Sequence, residues 1–149
     1  MSLKRYVHIG ALLLAITALL TACGQSATAE KPGVSTAVVG REMSFTPALV
    51  TATVGKPITI AFTNEGVIEH DWAVLNLPAH DVRATEAEDG HSHAAQPVSN
   101  ASPTVHVAAL PGKQSDVTFT PERPGRYTIV CTVPGHKEAG MMGILTVVE

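Results

Sequence analysis

Apolar residues alternate with polar or small residues in several short segments of the chain. The clearest case is 58–63, where threonine and alanine separate Ile58, Ile60 and Phe62. A period of two places every second side chain on the same face of a strand, so this segment predicts a β-strand with one buried face. Similar runs occur at 35–39, 48–54, 71–77, 104–110, 116–120, 126–131 and 144–148.

Turn-forming residues separate these segments, and no stretch shows the 3.6-residue period of a helix. Glycine and proline occur together at 55–57, 111–113 and 124–125, where they end one regular element before the next begins. Valine, isoleucine and threonine crowd the candidate strands, as is typical of β-structure. Seven or eight strands of this length predict an all-β fold, a two-sheet antiparallel sandwich.

The N-terminus reads as a targeting signal outside the fold. Lys4 and Arg5 precede an apolar run at 9–20, and small residues then lead to Cys23. This run is too short to cross a bilayer of about 30 Å as a helix. The pattern resembles a bacterial lipobox, in which residues 1–22 are removed and Cys23 is lipidated; a plain secretory signal is the alternative. We therefore expect a domain anchored by its acyl chains at the periplasmic or extracytoplasmic face of a bacterial membrane.

A short linker follows Cys23. Residues 23–35 are small and polar and are interrupted by Pro32 and Gly33, which is typical of a flexible tether. The remainder, 36–149, is predicted to form a single domain, which is large enough to bury a core without disulfide bonds.

The charge balance of the chain is acidic. Without residues 1–22, eight Lys and Arg stand against 13 Asp and Glu, a formal charge of −5. A nucleic-acid-binding protein would carry a basic surface, so we expect no nucleic-acid partner. Net acidity favours a protein partner with a basic docking surface.

One polar segment interrupts the alternation. Residues 79–103 contain His80, His91 and His93 and show no sustained pattern, so we predict an insertion without regular structure. Insertions of this length in compact domains are usually functional or mobile. A solvated loop is the simplest interpretation, and weak metal binding by His91 and His93 is the alternative. His106 lies in an alternating segment and is expected to be a structural or surface residue instead of a ligand.

The segment 131–143, CTVPGHKEAGMMG, concentrates the side chains with metal chemistry. Cys131, His136 and Met141 follow one another at short spacing, with proline and glycine between them. One loop can therefore turn three side chains toward one point. A thiolate and a thioether together with imidazole suit copper, and blue-copper sites combine two His, one Cys and a weak Met. His70 is the candidate for the second imidazole.

The cysteine count agrees with a metal ligand in this loop. Cys23 and Cys131 are the two cysteines of the chain. If Cys23 is lipidated, Cys131 has no disulfide partner within the chain. An unpaired thiol in an oxidising compartment needs protection, which copper ligation would supply.

The segments 64–77 and 124–143 together resemble the cupredoxin family, the small mononuclear type 1 copper proteins that include plastocyanin, azurin and auracyanin. The four residues between Cys131 and His136 match azurin and auracyanin. The four residues between His136 and Met141 resemble the spacing in auracyanin and are one more than in azurin. The likeness extends over the whole predicted domain.

The resemblance implies a Greek-key β-sandwich that binds one copper ion through His70, Cys131, His136 and Met141. It also implies an electron carrier that passes single electrons between redox proteins, such as components of a respiratory or photosynthetic chain. His136 would then be the electron port at the protein surface. Met142 stands beside Met141 and leaves the choice of axial thioether open.

Neighbouring residues distinguish this chain from related proteins. Glu69 stands where azurin has the glycine that precedes its first His, so no fifth ligand is expected, and Asp71 replaces the following asparagine. Val130 and Thr132 occupy positions where multicopper oxidases carry histidines, so no enzyme is expected. The serious alternative is a copper delivery or assembly protein of the same fold; Cys131 argues against it, because such proteins tend to rely on Met and His.

Overall fold

The computed structural model describes residues 33–85 and 103–149, which form ten strands in two five-stranded sheets. The strands in chain order are β1 (Val34–Arg41), β2 (Ser44–Thr46), β3 (Leu49–Thr53), β4 (Ile58–Asn64), β5 (His70–Leu75), β6 (Ala79–Thr85), β7 (Pro103–Ala109), β8 (Gln114–Pro121), β9 (Gly125–Val130) and β10 (Met142–Val148). Within these two ranges, no helix is long and apolar enough to cross a membrane.

Several sequence predictions fall outside these residues. They are the signal at 1–22, the lipidated Cys23, most of the tether, and His91 and His93 with the greater part of the polar insertion. These remain predictions.

The two sheets enclose one core. Their strand orders are β2-β1-β4-β8-β6 and β3-β10-β9-β5-β7. In β4, Ile58, Ile60 and Phe62 are buried and the residues between them are partly exposed, as the alternation predicts. The rings of Trp72 in β5 and Phe119 in β8 lie 6.2 Å apart and join the two sheets across the core. The predicted all-β sandwich is confirmed.

The strand directions differ from the prediction in two places. Most neighbouring strands are antiparallel, but β1 pairs with β4 and β3 pairs with β10 in parallel. The chain leaves the first sheet after β2 and forms β3 in the second sheet before it returns to β4. An apolar alternation reports which face of a strand is buried and carries no information on the direction of its neighbour. The sheets are therefore mixed.

A strand also occupies the start of the segment predicted to be a polar insertion. Strand β6 (Ala79–Thr85) pairs with β8 at the edge of its sheet, with a register shift between His80 and Arg83. Most of its side chains are exposed, so it lacks the apolar alternation that marks a buried strand. The prediction that residues 79–85 lack regular structure is wrong. The three-residue strand β2 was also too short to recognise from its pattern.

Candidate metal centre

Three of the predicted ligands converge at one end of the sandwich. His70 begins β5, Cys131 directly follows β9, and His136 lies in the loop between β9 and β10. The Nδ1 atom of His70 lies 3.2 Å from Nδ1 of His136 and 4.0 Å from Sγ of Cys131. The Sγ atom of Cys131 lies 3.2 Å from Nδ1 of His136. In the described part of the chain, these three buried residues form a group whose ligand atoms are close enough to hold one metal ion.

Hydrogen bonds within the loop position the ligands that it carries. The N–H of His136 donates to the carbonyl of Val133 at 3.1 Å, and the N–H of Met141 donates to the carbonyl of His136 at 2.9 Å. The N–H of Cys131 donates to the carbonyl of Met141 at 3.1 Å, which closes the loop on itself. The backbone of each ligand residue is thus bonded to that of another.

Glycine makes this closed loop possible. Gly135 and Gly140 have φ angles of 86° and 100°, a region that residues with a side chain rarely adopt. Directly after Gly140, the side chain of Met141 is fully buried, whereas that of Met142 is 44% exposed. Burial therefore favours Met141 over Met142 as the thioether available to the centre.

The carboxylate of Asp71 ties the strand that begins with His70 to the residue after Cys131. Asp71 is buried, and its Oδ1 accepts the N–H of Thr132 at 2.5 Å. Its Oδ2 accepts the hydroxyl of Thr132 and lies 3.1 Å from Nε2 of His106. The N–H of Asp71 points at Sγ of Cys131 at 3.5 Å. Hydrogen bonds of this kind orient ligands and tune a metal site.

The sequence alone predicts the contacts of Asp71 only in part, and His106 lies where the sequence pattern placed it. The sequence shows that Asp71 follows a candidate ligand, which suggests a backbone contact with the thiolate, but nothing local shows where its carboxylate points. His106 lies on β7, opposite Ala73 of β5, and contacts Asp71 instead of joining the ligand group. This agrees with the structural or surface role expected for His106.

Burial sets the protonation of the candidate ligands. It raises the pKa of the Cys131 thiol to about 12, and the negative charge of Asp71 acts in the same direction. Burial also lowers the pKa of His70, and His136 reinforces this effect. The metal-free centre therefore contains a protonated thiol and a neutral His70 at pH 7. A metal binds neutral imidazole directly but must displace the thiol proton.

A second carboxylate faces the opposite side of His70. Glu42 lies in the turn between β1 and β2, and its Oε1 is 3.9 Å from Nε2 of His70. The same Oε1 accepts the N–H of Val67 at 2.6 Å, and this hydrogen bond lowers the pKa of Glu42. The sequence pattern did not indicate this residue, because Glu42 stands 28 positions before His70 in an ordinary turn.

Residues 32–148 match the family of copper binding proteins described as the plastocyanin/azurin family. The chain belongs to this family. The copper-resistant cuproprotein CopI of Rubrivivax gelatinosus is 30% identical over 111 residues, which are 74% of this chain and 63% of CopI. Auracyanin-A of Chloroflexus aurantiacus is 29% identical over 112 residues, 65% of this chain and 63% of that protein. The chain thus spans slightly under two thirds of the length of these two relatives.

Solved structures show the same fold. Dithionite-reduced auracyanin from the photosynthetic bacterium Roseiflexus castenholzii superposes with a TM-score of 0.61 at 21% identity, over 80% of this chain and 100% of that chain. The resemblance to the plastocyanin/azurin family and the cupredoxin sandwich are therefore confirmed.

The donor atoms of the centre fit copper, the metal of this family. Two imidazole nitrogens and a thiol sulfur point at one another, and a fully buried thioether lies on the same loop. Soft sulfur ligands with imidazole select copper, whereas calcium and magnesium require oxygen ligands. No carboxylate belongs to the ligand group formed by the described residues.

Proposed function

We propose that His70, Cys131, His136 and Met141 bind one copper ion as a type 1 centre, and that the protein carries single electrons between redox partners. The observation that carries this proposal is the convergence of two imidazole Nδ1 atoms and one thiol within 4.0 Å in a buried site. Copper supplies a one-electron couple when it is bound. The chain's part is to hold the same donors in place in both oxidation states.

The fold provides that rigidity. Strands β5 and β9 are neighbours inside the second sheet, where Ala73 pairs with Val130 just behind the ligands. Asp71 and Thr132 continue this connection beyond the strand ends. Close-packed interiors resist compression, so the ligands have little freedom to rearrange. A small rearrangement keeps the barrier to electron transfer low.

The same geometry suggests where electrons enter and leave. The surface position expected for His136 is found only in part, because 6% of its surface is exposed, against 0% for His70. His136 also lies on a loop, whereas His70 begins an interior strand. Apolar side chains are exposed on both segments that carry ligands, namely Val67 and Ile68 before β5 and Met142 after the loop. We propose His136 as the electron port and these apolar side chains as part of the docking face for redox proteins.

Copper delivery is the second candidate function. It is favoured by the similarity to CopI, a copper-resistant cuproprotein. A delivery protein must release its metal, whereas a carrier must retain it through repeated reduction and oxidation. The closed ligand loop and the buried thiol favour retention.

We also infer that the protein is not an enzyme. A multicopper oxidase carries histidines on both sides of the cysteine, which connect it to a second copper centre, whereas Val130 and Thr132 flank Cys131 here. An electron carrier needs no second redox centre.

Repeated redox cycling in the presence of a copper(I) chelator distinguishes the two functions. We expect reversible one-electron voltammetry and retention of copper when the reduced protein meets a strong chelator. Transfer of most of the copper to the chelator within the time of one redox cycle would contradict the carrier role and favour delivery.

We also propose that Cys23 anchors the protein to the outer side of a bacterial membrane through its acyl chains. The supporting observation is the charged, apolar and small-residue order of residues 1–23. Cys23→Ser should move the protein from the membrane fraction to the soluble extracytoplasmic fraction or block its processing. Wild-type protein without lipid mass on its N-terminal peptide would contradict the anchor.

A further inference from the structure

One polar atom in the candidate ligand set has no hydrogen-bond partner. Within the part of the chain that the structure describes, Nε2 of His70 is buried and accepts or donates no hydrogen bond. The other ring nitrogen, Nδ1, faces Cys131 and His136. A neutral imidazole that offers Nδ1 to a metal carries its proton on Nε2. A buried N–H needs an acceptor, because an unpaired buried donor is costly.

Glu42 is placed to be that acceptor. It is the first residue of the two-residue turn between β1 and β2, in which Arg41 pairs with Ser44. The next residue, Met43, has a φ of 56°, so the turn is tight. The Oε1 atom of Glu42 lies 3.9 Å from Nε2 of His70. This turn therefore brings a carboxylate to the side of the ring that faces away from the other ligands.

The segment before β5 holds this carboxylate in place. The N–H of Val67 donates to Oε1 of Glu42 at 2.6 Å. The buried Asn64 fixes that segment, because its Oδ1 accepts the N–H of Gly66 at 2.8 Å and its Nδ2 donates to the carbonyl of Ile68 at 2.8 Å. The backbone segment that binds the Glu42 carboxylate is thus itself held by hydrogen bonds to Asn64.

Gly66 keeps the space between the two groups open. A Cβ atom at this position would lie 2.6 Å from Oε1 of Glu42 and 2.8 Å from Nε2 of His70, closer than real Cβ contacts. Any side chain there would push the carboxylate and the ring apart. The glycine is therefore required by a close approach between Glu42 and His70.

We propose that Glu42 is a positioning residue of the copper centre: its carboxylate accepts the Nε2–H of His70, orients the ring toward the metal and lowers the reduction potential. The inference rests on the proposed ligand role of His70. The present separation of 3.9 Å exceeds a hydrogen bond by about 1 Å. The hydrogen bond from Val67 keeps the carboxylate beside His70, and the Glu42 side chain, which is 47% exposed, has room to shift over the remaining distance.

The physical effect follows from charge. A carboxylate that accepts the outer N–H of a ligating His makes the imidazole a stronger donor, and loss of such partners typically changes metal affinity by about 10- to 100-fold. A stronger donor and a nearby negative charge both stabilise copper(II) more than copper(I). Glu42→Gln keeps the shape and removes the charge, so it should raise the reduction potential.

The test is voltammetry of the full copper-loaded chain with a matched charge control. For Glu42→Gln, we expect the affinity ratio of copper(II) to copper(I) to fall about tenfold, which is about 59 mV for one electron. Glu65→Gln removes the same charge from a residue that pairs with Arg41 instead of facing His70, and it should shift the ratio far less. Glu42→Asp keeps the charge on a shorter side chain and should restore part of the effect. Equal shifts for Glu42→Gln and Glu65→Gln would overturn the proposal.

A second readout needs no copper. Nitrogen-15 NMR of the metal-free chain identifies which ring nitrogen of His70 carries the proton. We expect the Nε2–H tautomer in the wild type and a larger share of Nδ1–H in Glu42→Ala. An unchanged tautomer in Glu42→Ala would contradict the role of Glu42, even if the copper centre is intact. Absence of a copper-thiolate absorption band in the wild type would contradict the proposed function and leave this NMR test in force.

Discussion

The two regions that supply the candidate ligands differ in the sequence separation of the contacts that position them. The loop between β9 and β10 carries Cys131, His136 and Met141, and hydrogen bonds among these residues close it. The start of β5 carries His70, which is surrounded by groups from distant parts of the sequence. Glu42 approaches from the β1–β2 turn and His136 from the other ligand loop.

This difference separates what each region contributes. The loop specifies the identity and spacing of three ligands within one short segment, so it defines the donor set. The β5 region specifies how a single imidazole is oriented and how the thiolate is surrounded, since Asp71 follows His70 and contacts both Thr132 and the Cys131 sulfur. Changes to Cys131 or His136 in the loop should therefore alter which metal chemistry is possible, and changes to the residues around His70 should mainly alter the stability and the reduction potential of the centre.

The largest expected effect concerns Cys131, where the two regions meet. Its folded pKa is raised to about 12, above that of an unfolded thiol, so the folded chain retains the proton longer as pH rises. The contribution of the protonated thiol to the stability of the folded state is fully present below the unfolded pKa, at about pH 8.5. It is lost as the pH rises toward 12. The free energy of unfolding of the metal-free protein, measured with denaturant, should fall by roughly 1.4 kcal/mol per pH unit across this window.

Cys131→Ser provides the control for this pH dependence. Serine does not ionise in the window, so the variant should lack this contribution while other groups titrate as before. The difference between the two proteins isolates the thiol. Parallel stability curves for the wild type and Cys131→Ser between pH 8.5 and 11 would show that the thiol is not protected by burial.

The next effect is expected at Asp71. Asp71→Ala removes the acceptor for Thr132 and leaves buried donors unpaired, each at a cost of roughly 1–3 kcal/mol. We expect the unfolding free energy of the metal-free protein to fall by about 3 kcal/mol. Thr132→Val removes one hydroxyl donor together with its bond and should cost about 1 kcal/mol. Equal losses of unfolding free energy in the two variants would show that the Asp71 carboxylate does not link the two regions.

The paired methionines test the loop. A thioether favours copper(I) over copper(II) relative to a harder oxygen donor, so Met141→Gln should lower the reduction potential. A shift on the order of tenfold in relative affinity corresponds to about 59 mV. Met142→Gln should change the potential much less, because Met142 is exposed. Voltammetry that shows the larger shift for Met142 would move the axial role by one residue.

The smallest expected effect concerns the backbone of the loop. Gly140 has a φ of 100°, so Gly140→Ala should destabilise the metal-free protein by about 1 kcal/mol. Gly112→Ala, with a φ of 73° in a turn without ligands, is the matched control and should cost a similar amount. Only Gly140→Ala should broaden the copper absorption band. A band unchanged in position and width would show that the loop tolerates this strain without moving its ligands.

The sequence predicts the loop better than the surroundings of His70, for the same physical reason. Cys131, His136 and Met141 lie close together in the chain, so their spacing and the intervening glycines are visible locally. The contact between Glu42 and His70 depends on how two separate loops meet in the folded sandwich, which no local pattern records. Strand β6 was missed because an exposed edge strand has no buried face to produce an alternation.

The most direct test of the account is the visible absorption spectrum of the oxidised, copper-loaded protein. Thiolate-to-copper charge transfer should give an intense blue or green band with one copper per chain, and reduction should bleach it. Cys131→Ser should lack this band, and His70→Ala should lose the normal spectrum. A Cys131→Ser variant that kept the colour, or a wild-type protein that bound one copper ion without an intense band, would contradict the proposed centre.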